Sequence, residues 1–305
     1  MSARNPTPHR TASHAPHPIR PYEPLIVNVA LTGMVASKDR VPHVPLSPRE
    51  IIEDAVGCVE AGAGIVHLHA RAPDGAPEWR RTAYEAFLPE IRARCPEALL
   101  CVTTSGRRFG ELEWRSDVLR LEGNARPDMA SLTLGSLNFR REASVNSPET
   151  ILRLAELMRE AGIMPELEVF DSGMAYLAWE LLDRGLLEPP LYVNLMLGAP
   201  NTAPARAGDL SHLVSSLPPD TVWATGGLGG TQLPMNALAV FMGGHVRTGL
   251  EDNPWFDFIE RTPATNRALV ERVVGLAAIA GRRVASCGEV RAMLGFPSAR
   301  AAAVV

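Results

Sequence analysis

The sequence predicts a (β/α)8 barrel, and three observations predict it. Eight short apolar runs alternate with segments of helical periodicity, the pattern of a parallel sheet covered by helices. Polar residues gather at the C-terminal ends of those runs: Thr32, His67, His69, Thr103, Thr104, Ser131, Thr133, Glu168, Asn194, Thr225 and Arg247. Strands buried on both faces leave such residues needing an explanation, and that rim is where barrels carry their chemistry. A doubly wound open sheet is the rival, but its Gly-x-Gly-x-x-Gly fingerprint is missing after the first run, where Thr32-Gly33-Met34-Val35 holds one glycine.

The elements follow in order. Leu25–Leu31 is an apolar run ending at Thr32-Gly33. Ser47-Pro48-Arg49-Glu50 then opens a helix, with Ser47 as N-cap, Pro48 in the first turn and Glu50 closing a capping box. Ile51, Ile52, Ala55, Val56 and Val59 form its apolar stripe, and Gly62 ends it. Ile65–Ala70 is the second strand, and a helix around Tyr84–Arg94 follows. Leu99–Thr104 is the third strand and Met129–Leu134 the fourth. Asn146-Ser147-Pro148-Glu149 starts another capped helix, which runs to Ala161-Gly162. Met164–Phe170, Leu191–Leu197, Thr221–Thr225 and His245–Gly249 complete the strands, and a helix over about Asn266–Ala280 closes the pattern.

The chain's 305 residues suffice for one large α/β domain, read here as residues 24–305. Residues 1–23, rich in Pro, His, Ser and Arg, read as a flexible N-terminal arm without the apolar segment of a secretory signal. A net charge of -4 gives no reason to expect nucleic-acid or membrane partners. The four cysteines show neither Cys-x-x-Cys spacing nor a disulfide framework, which suits a reducing cytoplasm.

Candidate chemistry starts at Ile65–Arg71, IVHLHAR. Alternation along a strand turns His67 and His69 to one face and Val66 and Leu68 to the other. Two imidazoles on one side of a rigid strand make half of a transition-metal site; two core histidines bonded to backbone are the alternative. In a closed barrel the eighth strand lies beside the first, which neighbours the second. A carboxylate after Gly249 therefore reaches the two histidines, and Glu251 and Asp252 are the acids available. Arg247, a strand arginine, needs a partner, and Asp252 is the nearest. That leaves one acid for a metal, which would either polarise a carbonyl or activate water.

Several segments together resemble the β-keto acid cleavage enzyme family, whose founding activity cleaves 3-keto-5-aminohexanoate. They are IVHLHAR, LSPREIIEDAV (Leu46–Val56), LTLGSLNF (Leu132–Phe139), MPELEVFDSGM (Met164–Met174), GGHVRTGLEDN (Gly243–Asn253) and RRVASCGEVRAMLG (Arg282–Gly295). The resemblance spans about Pro24 to Gly295. It implies a zinc-dependent (β/α)8 barrel, usually a homotetramer, that condenses a β-keto acid with acetyl-CoA to give acetoacetate and a new acyl-CoA. It further implies His67, His69 and Glu251 as zinc ligands, and Asp252, paired with Arg247, as the group that takes up a proton. Thr103, the Gly106 backbone and Ser131 would hold the substrate carboxylate, and Glu168 matches an active-site glutamate.

The departures from the family pattern bear on substrate. Val35 stands where members acting on amino-bearing substrates carry a glutamate, so an ammonium group would lose a charged hydrogen bond of about 1.5–3 kcal/mol. Met34, Val35 and Met196 favour an uncharged tail, whereas Arg107 and Arg108 could read a second carboxylate, as in 3-oxoadipate, or touch coenzyme A phosphates. Gly230 stands where many members have an arginine, and Ala72 where an aspartate is common. An amidohydrolase-type hydrolase is the enzyme alternative, but it wants further histidines on middle strands, and Met164–Phe170 and Leu191–Leu197 have none. A class II aldolase would need a third metal histidine and a phosphate loop, for which Gly226–Gly230 is a candidate. A metabolite-binding relic would have no use for so many buried polar groups at the barrel mouth.

Overall fold

The computed structural model describes residues 22–139 and 142–298. The expected arm falls almost wholly outside the described residues. Eight parallel strands close into a barrel: β1 (Val27–Ala30), β2 (Ile65–Leu68), β3 (Leu99–Val102), β4 (Met129–Thr133), β5 (Met164–Val169), β6 (Leu191–Leu197), β7 (Thr221–Gly227) and β8 (His245–Thr248). β8 pairs with β1 in the register Asn28↔Arg247, and β1 pairs with β2 in the register Ala30↔His67. Those two registers bring the last strand to within one strand of the histidines.

Alternation divides each strand between two environments. Val27, Val29, Val66, Leu68, Leu100, Val102, Leu132 and Leu167 face outward into the shell packed by the helices. Ile26, Ile65, Leu99, Cys101, Met129, Tyr192 and Ala224 fill the lower interior. Above that layer the interior turns polar, with Asn28, Glu166, Asn194, His67 and Arg247 all buried. A barrel interior is a packed core, so these polar groups must satisfy one another.

The helices that follow the strands are α1 (Pro48–Ala61), α2 (Leu88–Arg94), α3 (Leu112–Ser116), α4 (Pro148–Ala161), α5 (Ser172–Asp183), α6 (Ala207–Ser216), α7 (Gln232–Met242) and α8 (Asn266–Ile279). Ser47 and Glu50 form the expected capping box of α1, and Ser147 caps α4 through the Thr150 amide. The helix expected around Tyr84–Arg94 is broken. A helical turn at Arg81–Glu85 gives way to α2 across Ala86 and Phe87, because Pro89 favours the first turn of a new helix over the interior of a longer one. A ninth helix, α9 (Cys287–Met293), plugs the bottom of the barrel with Val290, while Leu294 just past its end joins the same lower layer. Val290 sits so close to Gly64 that an added Cβ there would stand 2.5 Å from its methyl. No helix among the described residues is long and apolar enough to cross a membrane.

Candidate active site

The site lies at the C-terminal mouth of the barrel. β2 delivers His67, and His69 follows it on the same face; both are buried. The turn after β8 delivers Glu251 and Asp252. That turn passes directly over β1. Gly249 has φ +135°, and an added Cβ would meet the Ala30 carbonyl oxygen at 2.1 Å. The Glu251 amide then donates to that same carbonyl at 3.2 Å, and Asn266 Oδ1 accepts from the Leu250 amide at 2.8 Å. Gly33, with φ +65°, leaves the space on β1's side that the Glu251 side chain occupies.

The outcome is a compact donor set. His67 Nε2 and His69 Nε2 are 3.2 Å apart, His69 Nε2 lies 3.2 Å from Glu251 Oε1, and His67 Nε2 lies 3.7 Å from Glu251 Oε2. Ligands about 2.0–2.1 Å from a tetrahedral zinc stand roughly 3.3 Å from one another, so these spacings fit such an ion. Two further observations fit it. Glu251 Oε2 is buried with no hydrogen-bond partner. And Arg247 is a single cation facing four carboxylates: Asp252 at 3.0 Å, Glu168 at 3.1 Å, Glu251 at 3.4 Å and Glu166 at 3.7 Å. Burial lowers the pKa of the His67 imidazole, but Glu166 and Glu251 outweigh it and raise it. Even with that ring protonated, two cations face four carboxylates out of water, which is costly without a further cation.

Glu166, on β5, is the main element that the sequence reading passed over. It is fully buried, and each of its oxygens is used twice. Oε1 accepts from Asn28 Nδ2 at 2.5 Å and Asn194 Nδ2 at 2.8 Å; Oε2 accepts from His67 Nδ1 at 2.5 Å and Cys101 Sγ at 3.1 Å. This bond keeps the proton on His67 Nδ1 and leaves Nε2 bare toward Glu251, the arrangement in which imidazole binds metal. Burial pushes the Glu166 carboxyl up, but His67 and Arg247 overcome it and bring it to about 2. Burial also holds His69 below the usual imidazole range, which favours the neutral ligand form.

Asp252 is held by Arg247 Nε, and Glu168 bridges Arg247 Nη1 and the Thr133 hydroxyl. Burial raises Asp252 above the usual carboxylate range. Arg247 opposes that shift, while Glu251 and Glu168 reinforce it. A carboxylate so placed can accept a proton that an ordinary aspartate would leave on carbon.

Thr103 lines the pocket beside the histidines, with Met34, Val35, Phe139, Phe170 and Met196 on the surrounding wall. Ser131 and Gly106 are placed differently. The Ser131 hydroxyl accepts from the Thr104 amide at 3.2 Å and so braces the loop after β3 from below. Gly106 packs on Arg115, where an added Cβ would stand 2.7 Å from Nη1. Arg107 reaches the pocket wall, but its Nε donates to Glu142 at 2.5 Å and its guanidinium lies 4.0 Å over the Phe139 ring; Arg108 shares Glu142 at 3.3 Å.

Comparison with known proteins identifies the family and the fold. The profile of the beta-keto acid cleavage enzyme family matches residues 24–296. The chain is 35% identical over 276 residues to the 3-keto-5-aminohexanoate cleavage enzyme of Acetoanaerobium sticklandii, covering 90% of this chain and 99% of that one. It is 37% identical over 279 residues to the 3-oxoadipate:acetyl-CoA acetyltransferase of Cupriavidus necator, covering 90% and 96%. Among solved structures, apo ObcA superposes with a TM-score of 0.74 at 21% identity, over 83% of this chain and 66% of ObcA, a likeness of fold. With its profile match running from the start of the barrel to the plug helix, the chain belongs to the beta-keto acid cleavage enzyme family.

Proposed function

We propose that the protein is a zinc-dependent acyltransferase that exchanges acyl groups between a β-keto acid and acetyl-CoA. The observation that carries this reading is the donor set of His67, His69 and Glu251 set against the Arg247–Asp252 pair. In this reading the bound zinc supplies a Lewis acid for the keto oxygen. Asp252 takes a proton from the carbon between the keto and carboxyl groups, and Arg247 holds its carboxylate toward the substrate. That carbon then bonds to the acetyl carbon of acetyl-CoA as the thioester C–S bond breaks and the thiolate leaves. The thiolate adds to the original keto carbon, the bond from that carbon to the former methylene breaks, and the acetoacetate enolate takes the proton back from Asp252. The products are acetoacetate and a new acyl-CoA, with no redox change. Thr103 and the Gly106 amide hold the substrate carboxylate throughout, since positioning supplies much of such a barrier.

The tail of the keto acid is uncharged in this reading. Val35 and Met34 offer no counter-charge to an ammonium group, and Arg107 is already paired with Glu142. Steady-state kinetics with acetyl-CoA and β-keto acids bearing alkyl, carboxyl and amino tails test it. The alkyl tail should give the highest kcat/KM, and a preference for the dicarboxylic acid would instead assign Arg107 to substrate. Release of a keto acid's fragments without acetyl-CoA would replace the transferase reading with a hydrolase.

A further inference from the structure

Arg115, on α3, is 3% exposed and forms no ion pair among the described residues. Its Nε donates to the Thr104 carbonyl at 2.8 Å and its Nη2 to Asn146 Oδ1 at 2.7 Å, while Nη1 is buried with no partner. Burial brings the guanidinium down to about 10 against an opposing pull from the more distant Glu168, so it stays charged at neutral pH. The other arginine at the mouth that lacks a carboxylate partner, Arg71, behaves differently: it donates to the carbonyls of Gly33, Ala36 and Gly75 and serves as a clamp on the β1 loop. Arg71 also has a buried Nε without a partner, but the donor that Arg115 keeps in reserve is Nη1, at the tip of its fork.

The reserve donor lies against Gly106. Around it the loop after β3 is folded tightly: Thr103 Oγ1 accepts from the Ser105 amide at 3.0 Å, and Ser105 Oγ accepts from the Arg107 amide at 3.3 Å. No protein group among the described residues accepts from the Gly106 amide. Asn146 is itself fixed by Ser136 and Gly135, so Arg115 ties the loops after β3 and β4 together. Trp79, Tyr84, Phe109 and Trp114 line the small recess beside it together with Glu78, whose carboxylate is taken up by Arg80 and the Trp79 amide. The recess adjoins the main pocket at Thr103 and Ser105. An unpaired buried cation behind a loop with a free amide has the electrostatics of an anion site, and low-polarity walls strengthen its field.

We infer that Arg115 is the positioning residue that makes the Thr103–Gly106 loop select a carboxylate, supplying charge from behind the loop. The inference rests on the substrate reading above only for the identity of the acid, since the loop would select any small carboxylate carried next to a ketone.

The test is calorimetric binding of acetoacetate and of its neutral methyl ester to wild type, R115K and R115M. Acetyl-CoA turnover is measured in parallel. Wild type should prefer the acid by about tenfold or more, the scale of one charged hydrogen bond. R115M should lose that preference and show a raised KM for the keto acid, with KM for acetyl-CoA within about twofold; R115K should keep most of the preference. An R115M protein that still prefers the acid overturns the inference, and so does an R115K protein as indifferent as R115M. Should R115M fail to fold, R115Q carries the same comparison. If wild type shows the Arg115-dependent preference without acetyl-CoA turnover, the transferase reading fails and the role of Arg115 stands.

Discussion

His67 Nδ1 donates to Glu166 Oε2 across 2.5 Å, and this bond decides which nitrogen His67 turns toward Glu251. The carboxylate has no spare capacity, because Asn28, Asn194 and Cys101 occupy its remaining lone pairs. A glutamine at this position cannot accept from all four donors. Glu166→Gln is therefore expected to weaken zinc binding by about 10–100-fold, measured by competition with a chelator. Unchanged affinity would remove Glu166 from the orientation of His67.

Asp252→Asn preserves the shape of the side chain and an oxygen for Arg247 Nε, which now bonds Oδ2 at 3.0 Å. The variant should bind zinc as wild type does and lose kcat by roughly 10²–10⁴, the usual contribution of a positioned base. Stopped or steady-state assays at saturating acetyl-CoA check it. A kcat within a few-fold of wild type would move proton uptake to another group.

Stability at acid pH reads a different part of the barrel. His245 opens β8, is 5% exposed, and accepts from the Ile26 amide at 2.9 Å. Burial, with help from Arg282, lowers its pKa to about 3 from 6.5. The unfolded chain thus binds the extra proton first as pH falls. The contribution of His245 is full above about pH 6.5 and declines toward pH 3, at roughly 1.4 kcal/mol per pH unit. Urea titrations at pH 7 and 4.5 should show the stability advantage of wild type over His245→Gln shrinking by about 2–3 kcal/mol. A constant difference would mean that His245 takes up its proton equally in the folded and unfolded chain, so that burial does not lower its pKa.

Much of this was legible in the sequence, for physical reasons. Period-two alternation placed His67 and His69 on one face, and closure of an eight-strand barrel put Glu251 and Asp252 beside them; the structure holds Glu251 3.2 Å from His69. Glu166 escaped because its partner lies 99 residues away and its only local signal was sharing a face with Glu168. Arg115 escaped because an arginine in a five-residue helix leaves no periodic signature. The plug helix α9 was visible only as a motif of the family resemblance, since seven residues are too few for periodicity to separate a helix from a loop. The break before α2 needed the weight given to Pro89, which the apolar pattern around it conceals.

The most direct measurement is elemental analysis of the purified protein coupled to its turnover of acetyl-CoA with a β-keto acid before and after chelation. The account predicts one zinc per chain, loss of turnover when it is stripped, recovery when zinc is returned, and no retained metal in His69→Ala. Full turnover by metal-free protein, or undiminished zinc in His69→Ala, would contradict it.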